Sequence, residues 1–210
     1  MSVLTSSDDL KTKQYLHEKS HNKKYDILFN IILEKYPKAK KLAKYRVLDV
    51  GSGLGKFARA SSMFFRTYTC VDSNPTITSY AQDLTNKIYH NINFITDNIV
   101  STCLLEKKYK YKIIISDHCV HFIPKSDIKK AFTNMFNLLK PNGLMIIIEH
   151  TIEPKGWGSD LLNKSSNLFD ENIWAKKSSQ LEFVHEFITK NYTHEYMETK
   201  TNRYYIMTNQ

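Results

Sequence analysis

The residues best suited to chemistry begin with a glycine turn. Val47-Leu48-Asp49-Val50 is a short run ending at Gly51-Ser52-Gly53-Leu54-Gly55, and a helical stretch from Lys56 to Phe65 follows. A strand delivering glycines into a helix lets backbone approach a ligand that a Cβ would hold off. The spacing is Asp-x-Gly-x-Gly-x-Gly from Asp49. It departs from the nicotinamide fingerprint, whose third glycine would fall at position 56, a lysine here. It is also not the phosphate-cradling G-x-x-x-x-G-K-[ST] loop. A second group could move protons: His118, His121, His150 and Glu149 all fall at or just beyond strand ends. Histidine suits that task because its ordinary pKa lies near neutral pH.

The elements that must position these residues alternate along the chain. Residues 8 to 45 read as helical, with Ile27, Leu28, Ile31 and Ile32 at helical spacing and Pro37 closing the segment. Strands follow at Arg46–Val50, Tyr68–Asp72, Ile92–Thr96 and Tyr111–Ser116, the last nearly continuous in apolar residues, as a central parallel strand should be. Ser73-Asn74-Pro75 marks a turn and helix start. A further helix is expected from a Ser126 cap, with a stripe of Ile128, Ala131, Phe132, Met135, Phe136 and Leu139, ended by Pro141-Asn142-Gly143. Leu144–Glu149 is the fifth strand. Residues 151 to 175 read as a long connection, a lid or substrate loop holding Trp157 and Trp174, part of it open to helix. Ser179 to Thr189 reads as a last helix, and Tyr192–Glu198 with Arg203–Thr208 as a closing antiparallel pair. The pattern predicts a doubly wound α/β sheet with ligands at the carboxyl ends of its strands.

The segment from about residue 45 to 150 resembles the class I S-adenosylmethionine-dependent methyltransferases. The resemblance implies their Rossmann-like fold, a mostly parallel seven-stranded sheet with helices on both faces, here with an N-terminal helical extension. It implies S-adenosyl-L-methionine as cofactor, and no metal. Asp49, Gly51, Ser52, Gly53 and Gly55 match the cofactor turn. Asp72, followed by Ser73, stands where an acidic residue holds the ribose hydroxyls, a strong orienting contact. Asp97 and Asn98 match the position near the adenine amino group. Ser116-Asp117-His118-Cys119-Val120-His121-Phe122-Ile123-Pro124 resembles the segment passing under the methionine part, which brings Asp117 and His118 to the cofactor. Leu139-Lys140-Pro141-Asn142-Gly143-Leu144 resembles the usual approach to the fifth strand. His121 matches a position that is often structural in the family, so His118 and His150, with Glu149, are the candidate bases. The methyl donor is already activated, so the protein's task is to hold a nucleophile in line, which gains on the order of 7 kcal/mol or more.

Composition sets the class. The chain of 210 residues is long enough for one domain with a buried core, and 41% hydrophobic with 24% charged residues is ordinary for a soluble protein. No apolar run approaches the roughly 20 residues of a membrane span. The first residues lack a secretory pattern, and Cys70, Cys103 and Cys119 form no C-x-x-C pair. The reading is a cytoplasmic protein with reduced thiols. Residues 1–45 are expected as helices forming part of a substrate and cofactor lid, and 46–210 as the methyltransferase domain.

The acceptor is the part the motifs leave open. Net charge +9, with clusters at Lys38–Lys41 and Lys107–Lys110, is either a nucleic-acid footprint or ordinary solvated lysine, and the second reading is preferred. No Asn-Pro-Pro-Tyr-type tetrapeptide follows the fourth strand, no Lys-Asp-Lys-Glu tetrad is evident, and no Pro-Cys nucleophile occurs. Phe169-Asp170-Glu171-Asn172, Lys177-Ser178 and Phe183 resemble only loosely a segment of protein N-terminal methyltransferases. The expected acceptor is an N or O atom of a small or peptide-like molecule. An RNA acceptor ranks second, and a non-catalytic binding subunit of the same fold third. Tyr15, Tyr25, Trp157 and Trp174 could line the acceptor pocket or simply pack.

Overall fold

The computed structural model describes residues 23–37, 39–86, 88–101, 110–151 and 171–209. Expectations resting on residues 8–22, Lys38, Cys103, Lys107 to Tyr109, Trp157, Phe169 and Asp170 lie outside that range, as does most of the expected lid segment. The side chains of Lys40, Glu171, Asn172 and Trp174 lie outside it too.

The chain divides into two units, Met1–Lys41 and Leu42–Gln210. In the first, helix α1 (Lys23–Lys35) buries Leu28, Ile31 and Ile32 at helical spacing, as the sequence pattern requires. Pro37 stands two residues past its end. The short α2 (Ala39–Leu42) follows.

The second unit is built on a seven-stranded sheet of order β3-β2-β1-β4-β5-β7-β6. Its strands are β1 (Arg46–Val50), β2 (Thr67–Asp72), β3 (Ile92–Thr96), β4 (Tyr111–Asp117), β5 (Leu139–His150), β6 (Glu195–Glu198) and β7 (Asn202–Thr208). The first five run parallel, and β7 lies antiparallel between β5 and β6. The strand order reverses between β1 and β4, so the crevice at their carboxyl ends is the place for a ligand. The doubly wound fold expected from the sequence is the one observed.

Helices cover both faces. Helices α3 (Lys56–Ser61) and α4 (Pro75–Thr85) lie on the side of Tyr68 and Cys70. There Phe57 and Phe65 meet the Tyr68 ring edge-on, and a Cβ at Gly55 would strike the Phe94 ring. Asn74 caps α4 by accepting from the N–H groups of Thr76 and Ile77, with Pro75 in the first turn. Helices α5 (Ile128–Leu138) and α6 (Glu171–Asn191) cover the other face. Their Ile128, Ala131, Phe132, Met135, Leu138, Val184 and Ile188 join Leu48, Ile114, Met145, Ile147, Tyr205 and Met207 in one apolar core.

Several boundaries differ from expectation: α6 starts at Glu171 rather than Ser179, α3 ends at Ser61 rather than Phe65, β6 starts at Glu195 rather than Tyr192, and both ends of α5 differ. Asp127, not Ser126, occupies the N-cap of α5, and no side chain caps it. Pro141-Asn142-Gly143 does not end that helix. The strand already begins at Leu139, which pairs with Tyr111; the register then jumps to Ile113 opposite Leu144. The intervening residues are held by the far end of the chain, Asn142 N–H donating to the Asn209 carbonyl (2.6 Å) and Asn209 N–H to that of Gly143 (3.1 Å). Asn142 takes φ +52, a conformation that Asn tolerates better than most residues.

Candidate functional site

The glycine turn is set by three left-handed residues, Gly51 (φ +70), Gly53 (+52) and Gly55 (+67). Gly51 and Ser52 both donate to the Val71 carbonyl, at 2.7 and 3.0 Å, tying the turn to the end of β2. A Cβ at Gly51 would overlap Cys119, so the turn packs directly on the segment after β4; at Gly53 a Cβ would meet nothing within 4 Å. The turn is thus closed underneath and open above. Arg59 adds a brace by donating to the Leu54 carbonyl.

Asp72 connects this turn to the next element. Its Oδ2 accepts from Gly53 N–H at 3.1 Å and its Oδ1 from Asn74 N–H at 3.0 Å. A carboxylate has about four lone-pair positions, so these bonds leave acceptor capacity at the end of β2. Asp97 N–H donates to the Asp72 carbonyl (3.1 Å), which places the end of β3 alongside. The Oδ1 of Asp97 accepts from Asn98 N–H, whereas its Oδ2 is shielded from solvent and has no hydrogen-bond partner among the described residues. Asn98 bends the following loop by accepting from Val100 N–H. Ser73 is exposed, and Asp49 is buried on β1 with its side chain toward Cys70.

A second cluster gathers where β4, β5 and β7 end. His118, at φ +53, donates its backbone N–H to the Ile148 carbonyl (2.8 Å) and stacks on His150 with ring centroids 3.7 Å apart. Its Nε2 lies 2.8 Å from Asn202 Oδ1, and its Nδ1 3.4 Å from Asp117. Beside it Glu149 and His121 form a buried pair: Glu149 Oε1 accepts from His121 N–H at 3.2 Å, and Oε2 takes His121 Nδ1. The His121 and His150 rings are 5.9 Å apart.

Electrostatics link the two groups. Burial, then the charges of Glu149 and Asp72, push the Cys119 thiol up to about 12, so it stays neutral between the turn and the histidines. Burial also pulls the Lys177 ammonium of α6 below its ordinary value, with Glu149 opposing the shift. The Tyr204 hydroxyl of β7 is pushed up to about 12 by burial and then by Asp117. Among the described residues no three His, Cys, Asp or Glu side chains are arranged to hold a metal.

The structure therefore brings Asp72, Asp97 and the glycine turn together, and separately Asp117, His118 and His150. It couples Glu149 to His121 rather than to His118 or His150. Asn202 and Tyr204 are neighbours that sequence reasoning missed, and Lys177, noted only within a loose resemblance, acts here with Glu149. A signal existed for the first: Asn202 falls opposite His150 once β7 is laid antiparallel to β5.

Residues 47–143 match the sequence family described as a methyltransferase domain. A curated protein of Geobacillus sp. strain WCH70, provisionally named a methyltransferase, is 21% identical over 173 residues, covering 81% of this chain and 65% of that protein. An S-adenosylmethionine-dependent methyltransferase from Clostridium acetobutylicum ATCC 824 superposes with TM-score 0.58 at 18% identity, covering 70% of this chain and 58% of that one. The N-methyltransferase NodS from Bradyrhizobium japonicum WM9, solved with S-adenosyl-L-homocysteine, gives TM-score 0.54 at 13% identity, covering 84% and 86%. The chain thus spans less than two thirds of the Geobacillus and Clostridium proteins, and the structural likenesses establish the fold. The strand order, the glycine turn and the acid at the end of β2 accord with a methyltransferase domain over residues 47–143, carried on a Rossmann-like methyltransferase fold.

Proposed function

We propose that the chain moves the methyl group of S-adenosylmethionine, by in-line displacement, to a nitrogen or oxygen atom of a small or peptide-like acceptor. The observation carrying this reading is Asp72, whose carboxylate is held between Gly53 and Asn74 at the rim of a turn left open above Gly53. The residues present fit an adenosyl ligand. Asp72 has acceptor capacity for two ribose hydroxyls, and the shielded, unpaired Oδ2 of Asp97 suits the adenine amino group.

When bound, the cofactor supplies a methyl group on a positively charged sulfur, ready for displacement by a lone pair. The backbone of Gly51, Ser52, Gly53 and Gly55, with Asp49 below, would hold its methionine part, and Ser73 and Asn98 would flank the nucleoside. Asp117 and His118 would carry the segment after β4 past the reacting end. Holding donor and acceptor in line is worth on the order of 7 kcal/mol or more, and this is the main contribution asked of the protein.

The test is calorimetric titration of the full chain with S-adenosylmethionine and S-adenosylhomocysteine, with Asp72→Ala as control. Binding that the variant loses supports the reading, and absence of binding to the wild-type chain sinks it. Radiolabelled methyl transfer to a secondary amine, a catechol and a short peptide then sorts acceptors.

Net charge +9 favours a second reading, an RNA acceptor. Two of the lysines concerned are already engaged, because Lys110 donates to the Asn137 carbonyl and Lys112 to that of Asn142. RNA binding that weakens steeply between low and moderate salt would promote this reading over the first.

A further inference from the structure

We propose that His121, held by Glu149, is the base that takes the acceptor's proton, so that the acceptor's reacting atom still carries a proton at neutral pH. This rests on the methyl-transfer reading above. Valence fixes where the imidazole proton sits. A carboxylate can only accept hydrogen bonds, and Glu149 receives two from one residue, the backbone N–H and the Nδ1–H of His121. Nδ1 therefore carries the hydrogen, and the lone pair of the neutral ring sits on Nε2. That atom is buried and has no hydrogen-bond partner among the described residues. A histidine serving only as a brace would need Nδ1 and would gain nothing from a buried, unsatisfied acceptor.

Position supports the same role. His121 follows β4 and Glu149 lies at the end of β5, the edge where the sheet's ligands belong. Cys119 packs under Gly51 and feels the charges of both Glu149 and Asp72, so the pair and the cofactor turn act on one thiol. Around the pair are the His150 and Phe122 rings, and Cys119, Lys177 of α6 and Tyr205 of β7 each feel the Glu149 charge. Phe122 lies 4.1 Å from the imidazole, ring to ring, yet is 70% exposed, so an arriving acceptor can displace it. His118 is less available, its Nε2 being engaged with Asn202.

The step balances without another reactant. The acceptor's electron pair forms the new bond to the methyl carbon, and the C–S pair returns to sulfur as a neutral thioether. The acceptor's proton goes to His121 Nε2, and the resulting imidazolium is paired with the Glu149 carboxylate. Oriented in this way a base contributes about a hundredfold or more in rate.

The test uses the full chain, labelled with 15N-histidine and saturated with S-adenosylhomocysteine. Long-range 1H–15N spectra at pH 7 should show His121 protonated on Nδ1 and bare on Nε2. Phenol, which carries a transferable proton, should move the Nε2 resonance toward the protonated value, while anisole should leave it in place. An Nε2 that carries the proton, or one that the two probes move equally or not at all, overturns the assignment. Failure of the chain to bind S-adenosylhomocysteine would instead remove the methyl-transfer reading itself. With an acceptor that turns over, His121→Ala should lose about a hundredfold or more in kcat with little change in cofactor affinity, and added imidazole should restore part of the loss. A variant within threefold of wild type, with an unaltered pH profile, counts against the role.

Discussion

Gly51 and Cys119 illustrate how tightly the cofactor turn is seated. A Cβ at Gly51 would lie 2.2 Å from Cys119 Sγ and 2.4 Å from its Cβ, and φ there is +70. Gly51→Ala should cost roughly 1–3 kcal/mol from backbone strain alone, and the overlap adds to it. Trimming Cys119 to Ala should not rescue it, because the second overlap remains, whereas Cys119→Gly should recover part; urea unfolding midpoints read all three. The same thiol, held up at about 12, should resist iodoacetamide at pH 8 in the native protein and react once urea exposes it. Asp72→Ala should weaken S-adenosylhomocysteine binding about 10- to 100-fold, the value of charge-assisted hydrogen bonds worth about 1.5–3 kcal/mol.

Helix α6 and strand β7 are joined by a bond that titrates. His185 Nδ1 lies 2.9 Å from the Tyr205 hydroxyl, and burial, then Arg203, lowers the His185 pKa from its ordinary 6.5. The neutral form is the one the fold prefers. Its stabilising contribution is therefore complete above pH 6.5 and is lost as pH falls through the folded value, because the unfolded chain takes up the proton first. Thermal melts from pH 7.5 to 5 should show this decline, and His185→Gln should flatten it. Phe132→Ala in α5 should cost about 3–5 kcal/mol, since Phe132 is fully buried against Phe187 and Tyr192.

These elements differ in how plainly the sequence announced them. β1 and β3 are bounded as read: β1 is a buried central strand that leaves a dense apolar run ending at the glycines, and β3, at the sheet edge, is a short run of β-formers between polar turn residues. The start of β5 was not legible. Lys140-Pro141-Asn142-Gly143 carries turn chemistry, and only the partner strand and Asn209 show that it lies within the strand. The glycine turn with Asp72 could be found because those residues are close in the chain. The pairings of His121 with Glu149 and His118 with Asn202 span 28 and 84 residues, and spacing alone carries no trace of them.

At the scale of the whole chain, a ligand that binds only the folded state raises stability by mass action. S-adenosylhomocysteine at about a hundred times its Kd should add about 2.7 kcal/mol, and a melting series with rising ligand checks it. No described helix is long and apolar enough to cross a membrane. One feature of the topology bears on how the molecule comes to exist. β7 lies between β5 and β6, so β5 keeps one edge open until residues 202–208 arrive. During synthesis that edge, carrying Met145, Ile146, Ile147 and Ile148, is an unpaired apolar template of the kind that recruits other nascent chains. Asn202, which holds His118, arrives with the same strand, so the histidine end of the crevice is completed only when the edge is sealed. Crowded translation should therefore favour aggregation of partial chains, and their solubility should rise sharply once β7 has emerged.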